Sequence, residues 1–569
     1  MTRGSIVRGV GAAAAVWTVL LVNAAAATPV DALRTLAVQD GGRVKPLDTF
    51  ARESARRITG GRAFGAESVR GLDPVEWVVA MMADPERWKD APIVRVSHAG
   101  LRSAVGLSTT RDRYSFRELA THDPFLKAAD AVRAKEEGDS EARLDPVERE
   151  VADLYGNLAL MSEIFTGEAL HVVPEAGEAG AAWSSWAHAM HGEETETRRV
   201  GLLARALLTA YAAGDDREVG TAASALHARL GAATTVSASE TDLQREVLYN
   251  RVKPFRFAWI LYLFGLLGLA ASFPLGSRAI TRAGFALVTA AFLLQSYGML
   301  LRTLISGRPP VTNMYESVIF VSWGAVLFAL AFETAYRVRY FAACASGLSV
   351  LLLILADSLP ILDGSIEPLV PVLRDNMWLT VHVLTITLGY AAFFLGVALG
   401  HLNLTLYFFA PGRRELLRTM SLFLYRSLQA GTLFLAAGTL LGGVWASYSW
   451  GRFWGWDPKE TWALIALLAY LAILHGRFLG WIRDFGLAVG ALLGGLTVLM
   501  AWYGVNFILG TGLHSYGFGS GGYAYVGAFV AFEVAVIAAA FFRVRAARAP
   551  APTPAASALA PAVRQEATS

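Results

Sequence analysis

Apolar and polar positions follow two different patterns along this chain of 569 residues. From 28 to 255, apolar residues recur at helical spacing among arginine, glutamate and aspartate. This predicts amphipathic helices over 116–135, 146–165, 198–212 and 221–230, with a short strand near 93–96. A stretch rich in glycine, alanine and glutamate over 175–196 reads as a loop. From 256 to 545 the pattern changes to long apolar runs at 257–276, 283–301, 314–335, 340–357, 378–408, 427–448, 461–479, 485–505 and 524–542. Each is long enough to cross roughly 30 Å of hydrocarbon. The fold class that follows is mainly α: a polytopic helical membrane protein of about nine spans with an N-terminal, mostly helical extracytoplasmic domain.

The ends refine this division. Arg3 and Arg8 precede an apolar stretch from Val10 to Val22 and the small residues Ala24–Ala27, the layout of a signal peptide or N-terminal anchor over 1–27. The expected units are then a soluble domain at 28–255, a membrane domain at 256–545 and a disordered cytoplasmic tail at 546–569. With the soluble domain outside, the loops bearing Arg278/Arg282, Arg337/Arg339, Arg413/Arg414/Arg418, Arg477/Arg483 and Arg543/Arg545/Arg548 all face the cytoplasm. That agrees with the excess of basic residues on the inner side of membrane proteins.

Composition narrows the chemistry. The chain is 54% hydrophobic and 17% charged, against about 25% charged in soluble domains. A net charge of +3 with no basic stripe argues against nucleic acid. The one cysteine, Cys344, lies in an apolar run, so a disulfide framework, a CxxC redox pair and a CxxCH haem attachment site are all excluded within this sequence.

Four histidines fall in the membrane part. His382 sits at the outer end of its span and His514 in the outer loop before the last span. His401, nineteen positions beyond His382, is roughly 28 Å deeper on a helix, and His475 lies at similar depth on another span. An outer pair and an inner pair result. Between the outer two stands Trp450-Gly-Arg-Phe-Trp454-Gly-Trp456-Asp457-Pro-Lys-Glu460-Thr-Trp462. Flat porphyrins lie against aromatic surfaces and haem iron takes neutral imidazole. Trp454, Trp456 and Phe453 could supply the surface, His382 and His514 the iron ligands, and Arg452 or Lys459 partners for propionates.

Each feature also has an ordinary reading. Interfacial tryptophans form aromatic belts, an intramembrane histidine can join two helices, and Asp457-Pro458 with Glu460 is a helix start. Glu316 after Asn313 reads as another helix-start carboxylate. His188 and His191, three apart, read as a solvated helix face rather than half of a metal site.

Taken together, the motifs resemble a family. Trp450 to Asp457 is similar to the tryptophan-rich WWD signature of haem-handling proteins of cytochrome c maturation. The nearest resemblance is to the CcsA branch, the haem-binding half of the system II cytochrome c synthase (haem lyase). It is carried by Thr312–Ser317, Trp378–His382, Trp450–Trp462, Leu474-His475 and Gly512–Gly517. The resemblance implies a bacterial inner-membrane protein that binds haem b. His475 would serve an inner site, with His401 as a companion proposed from depth. His382 and His514 would hold iron at an outer site beside Trp450, Trp454, Trp456 and Asp457. It further implies thioether attachment of haem to the CxxCH of apocytochrome c, with a ResB/CcsB-like membrane partner and thiol-reducing proteins. No side chain acts as a nucleophile in this reading. An alternative is a haem exporter that loads a separate chaperone without ligase activity, as in the CcmC branch. An ion or solute transporter would require carboxylates at mid-membrane, and the acidic residues of the spans read as lying near their ends.

Overall fold

A computed structural model describes residues 28–548 except 61–68, 70, 140–143, 175–180, 192–194, 235–238, 359–361, 370–376 and 510–521. The expected signal segment, the tail beyond 548 and His514 lie outside the described residues.

The N-terminal region begins with a hairpin, β1 (Ala37–Asp40) and β2 (Arg43–Pro46), paired antiparallel. Its two-residue turn places Gly41 and Gly42 at φ 58° and 77°, the left-handed conformation such tight hairpins need. Helices α1 (Leu47–Thr59), α2 (Pro74–Ala83), α3 (Asp123–Gly138), α4 (Pro146–Thr166), α5 (Thr195–Ala213), α6 (Asp216–Thr234) and α7 (Glu240–Val252) follow, with short helical turns between them. Their starts are encoded locally: Asp145 caps α4 reciprocally with Glu148, and Pro146 occupies the first helical position. One core unites α1 to α6 around the fully buried Trp77, Phe125 and Trp186, while Leu243 of α7 packs in a separate small cluster with Ala37 and Trp183. The 175–196 stretch departs from its reading as a loop, since Ser184–Ser185 pairs with His171–Val173 and Trp186–His191 is a helix. Burial of Trp186 against the core supplies the order that composition alone does not suggest.

Nine helices of the described residues are long and apolar enough to cross a membrane. They are α8 (Pro254–Leu275), continuous with α7 apart from Lys253 at φ 48°, α9 (Arg278–Ser306), α10 (Met314–Tyr336), α11 (Tyr340–Ser358), α12 (Met377–Phe409), α13 (Arg414–Trp450), α14 (Pro458–Phe478), α15 (Asp484–Leu499, which spans together with its continuation to Leu509) and α16 (Tyr523–Arg548). The chain is thus an integral, multi-pass membrane protein. The expected spans match these helices closely, but α13 begins at Arg414 rather than near 427, because its first turns are amphipathic and miss the apolar window. After α15 the chain runs on through a π-helical segment, Met500–Leu509.

α12 and α13 pack along their length, and α12 also meets α10, α15 and α16. α7 binds the N-terminal region to the bundle. Glu246 accepts both arms of Arg43 at 2.7 and 2.8 Å, Asn250 donates to Asp48 and Thr49, and the Tyr249 hydroxyl accepts from Arg302 of α9 at 3.2 Å.

Candidate haem-binding site

His382 lies five residues inside α12, on the side that meets α13. Its Nδ1–H donates to the Gly438 carbonyl at 2.6 Å, which leaves the ring's lone pair on Nε2. This is the usual state of a metal-binding imidazole, oriented through its other nitrogen. The contact requires Gly442: a Cβ there would lie 2.6 Å from Cε1 and 2.9 Å from Nδ1 of His382. At the next residue, a Cβ on Gly443 would lie 2.5 Å from the Phe453 ring. Consecutive glycines of α13 therefore make room, one for the histidine and the next for the first aromatic of the tryptophan-rich loop.

The loop itself is built from short-range bonds. α13 stops at Trp450 because Gly451 takes φ 70°. Trp445 and Trp450 meet edge to face at 4.6 Å, and the Arg452 guanidinium lies 5.7 Å over Trp450 and 3.5 Å from Glu460. Trp454 and Trp456 stand at 88° with centroids 5.8 Å apart. Trp456 adopts φ 56°, a conformation that costs a non-glycine residue about 1–3 kcal/mol. Hydrogen bonds on either side hold it: Glu460 Oε2 accepts from the Gly455 and Asp457 backbone N–H groups at 2.8 and 3.1 Å. Asp457 caps α14 through the Lys459 N–H, so its carboxylate has the role expected of a helix start.

The consequence is an aromatic surface held open. Trp456 is 69% exposed, Phe453 48% and Tyr448 71%, and Tyr448 stacks on Trp378 at 6.5 Å. The Trp454 indole Nε1 is buried without a hydrogen-bond partner among the described residues. An imidazole with its lone pair on Nε2, exposed aromatic rings beside it and an unanswered donor fit a flat, apolar, metal-bearing ligand carrying carboxylates. The residues present therefore suit haem. His514 would have to complete such a site from the segment that follows Leu509.

The deeper histidines are placed differently. His475 is exposed on α14, and its Nδ1–H donates to Leu471 O at 2.7 Å, again leaving the lone pair on Nε2. His401 instead bonds through Nε2 to Glu533 Oε1 of α16 at 2.9 Å and stacks on Phe532. α12 and α14 touch where Phe393 stacks on Tyr470 at 3.7 Å. Measured from that contact at 100° per residue, His401 is turned by about 80° and His475 by about 140°. The two rings thus face different neighbours, and among the described residues no group of three or more potential metal ligands occurs.

Sequence reading missed Glu533, which is 1% exposed near the middle of its span. An acidic residue within an apolar run is the available signal, and Glu533 corrects the expectation that the acidic residues of the spans lie near their ends. It also missed the partners of Glu316. Beyond its place after the Asn313 cap, Glu316 binds Arg302 at 2.8 Å and Arg308 at 3.0 Å. Arg302 in turn holds the Gly364 carbonyl.

Residues 311–514 match the family model described as cytochrome C assembly protein. The chain is 36% identical over 293 residues to the cytochrome c biogenesis protein CcsA of Prochlorococcus marinus, spanning 45% of this chain and 92% of that one. It is 35% identical over 257 residues to CcsA of Chlorella vulgaris, 39% and 81% of the two chains. It is also 32% identical over 498 residues to protein NrfI of Wolinella succinogenes, matching 84% of this chain but only 53% of NrfI. Among solved structures, cytochrome c haem lyase CcmF aligns with TM-score 0.39 and 18% identity over 53% of this chain and 51% of that one. On the strength of its likeness to nearly the whole of CcsA, this chain belongs to the CcsA family of cytochrome c biogenesis proteins.

Proposed function

We propose that this protein, whose family assembles cytochrome c, binds haem b at the end of the bundle bearing the tryptophan-rich loop and presents it to the CxxCH of an apocytochrome c. One observation carries the reading: His382, oriented through Nδ1, and Phe453 of the tryptophan-rich loop sit on adjacent glycines of α13. A candidate iron ligand and the start of an aromatic bed are thereby held at neighbouring positions along α13. On this reading His382 and His514 ligate iron, Trp450, Trp454 and Trp456 flank the ring, and Asp457 shapes the loop. His475 serves an inner site; His401, committed through Nε2 to Glu533, is the weaker candidate there.

When bound, haem supplies vinyl groups that form thioether bonds with the substrate's thiols. The contribution of the chain is positional. His382 holds its lone pair in a fixed direction, Glu460 keeps the Gly455–Asp457 turn rigid, and the exposed rings exclude water from one face. The protein acts in the bacterial inner membrane, with the loop and the N-terminal region outside. A ResB/CcsB-like partner and thiol-reducing proteins complete the system.

The test is an absorption spectrum and a maturation assay on His382→Ala, His514→Ala and the double mutant. Loss of outer haem and of holocytochrome, partly restored by imidazole, is expected. Wild-type haem content and maturation in the double mutant reject the reading. Covalent haem formed only when a ResB-like partner is co-expressed identifies half of a synthase, whereas haem passed to a small carrier identifies an exporter.

A further inference from the structure

Lys459 stands in the first turn of α14, half-buried behind the tryptophan-rich loop. Its ammonium is held at 3.1 Å by Asn506 Oδ1 and at 3.4 Å by the Trp502 carbonyl, both on the π-helical segment. Both acceptors are neutral. Among the described residues no carboxylate lies within ion-pair distance, and Asp457, two positions earlier, uses Oδ1 on the backbone N–H of Lys459. Three other cations among the described residues are answered: Arg452 by Glu460, and Arg302 and Arg308 by Glu316. A partly desolvated ammonium with only neutral oxygens is under-compensated, and an anion arriving there forms a strong charge-assisted bond. Trp454 Nε1, on the same loop, adds a buried donor lacking an acceptor. The π segment that carries Asn506 ends at Leu509 and leads directly into the stretch bearing His514.

We infer that Lys459 and Asn506 form a seat for a carboxylate of the bound ligand, a propionate if, as this inference requires, the ligand is haem. The lysine then fixes the rotation of the macrocycle about the iron–histidine axis, and with it which vinyl group faces the incoming thiols. Arg452, tied to Glu460, shapes the loop instead.

The experiment titrates the full-length, haem-depleted protein in nanodiscs with haem and with haem dimethyl ester, following the Soret band and the reduction potential. Wild type should prefer haem over the ester by about 10- to 100-fold, the range expected for a hydrogen bond to a charged group. In Lys459→Met the preference should fall to near unity, and Lys459→Arg should retain most of it. His382→Ala should weaken both ligands while leaving their ratio unchanged. If Lys459→Met lowers haem and ester binding equally, the lysine only braces the π segment and the inference is overturned; an unchanged ratio in a well-folded Lys459→Met overturns it too. A wild-type protein that binds neither ligand instead refutes the haem-binding reading itself, and the inference with it.

Discussion

The His382 imidazole occupies the space that a side chain at Gly442 would need: an added Cβ would approach Cε1 to 2.6 Å and Nε2 to 3.1 Å. The glycine is an element of the site although it has no side chain. It lets α12 and α13 approach until Nδ1 reaches the Gly438 carbonyl, and that bond places the ring proton on Nδ1 and the lone pair on Nε2.

Gly442→Ala should therefore disturb the site more than the fold. Overpacking at a tight helix contact costs about 1–3 kcal/mol, and the ring can relieve it by swinging off Gly438. The expected result is a folded protein with depleted or spectrally shifted haem. Gly347→Ala, whose Cβ would meet nothing nearer than 3.7 Å, should behave as wild type in the same spectra. A Gly442→Ala protein with an unaltered spectrum contradicts the seat.

The nine spans were legible because apolar runs of sufficient length have few other uses, and the start of α14 was legible because Asp457, Pro458 and Glu460 encode it locally. Contacts set by how helices rotate against each other were not. His401 and His475 share a depth in the sequence, but the direction of each ring depends on which neighbour its helix meets, and His401 meets Glu533. In the same way Glu316 looks like a cap until α9 brings Arg302 beside it.

The bond between His401 and Glu533 is also a mechanical one. α16 is only sparsely buried inside the bundle, so a polar bond to α12 is a large part of what fixes its rotation. Interhelical hydrogen bonds in membranes are worth about 0.6 kcal/mol on average and up to about 1.7. Glu533→Ala should lower thermal stability in detergent by that order and increase labelling of a cysteine introduced at Phe532. Glu533→Gln, which can still bond the ring, should lie closer to wild type. Equal stability of all three proteins would show that apolar packing alone seats α16.

In the N-terminal region, Asp48 offers a pH test. Burial pushes its pKa up, but Arg52, Arg34 and Asn250 outweigh burial and hold it below the ordinary 3.8. A group depressed in the folded state stabilises the fold above its unfolded value and loses that contribution as pH falls through the folded value. Unfolding midpoints should thus drop below about pH 4 in wild type, and the drop should be smaller in Asp48→Asn. Glu53 works in the opposite sense, because burial keeps its pKa raised despite Lys45. The comparison with Asp48→Asn isolates the aspartate, and parallel pH curves for the two proteins would exclude it as a contributor.

Glu316 gives the sharpest stability prediction, because its partners cannot escape. Arg302 and Glu316 have side chains only 1% exposed, and Arg308 is 10% exposed. Removing one member of a buried pair costs about 3–5 kcal/mol, since the remaining charge stays desolvated. Here one deletion strands two arginines. Arg302 also holds the Gly364 carbonyl at 2.8 Å and Arg308 the Glu367 carbonyl at 2.9 Å, so the 362–367 strap should loosen along with the pair. Glu316→Ala should unfold at clearly lower temperature and become sensitive to protease within that strap. Glu316→Gln, whose single amide oxygen can still accept from one side of the cluster while its NH2 cannot accept from the other, should fall between. Adding Arg302→Met to Glu316→Ala removes the more buried stranded cation and should recover part of the loss. If the double mutant is no more stable than Glu316→Ala, the cost lies in the lost loop contacts rather than in the buried charge.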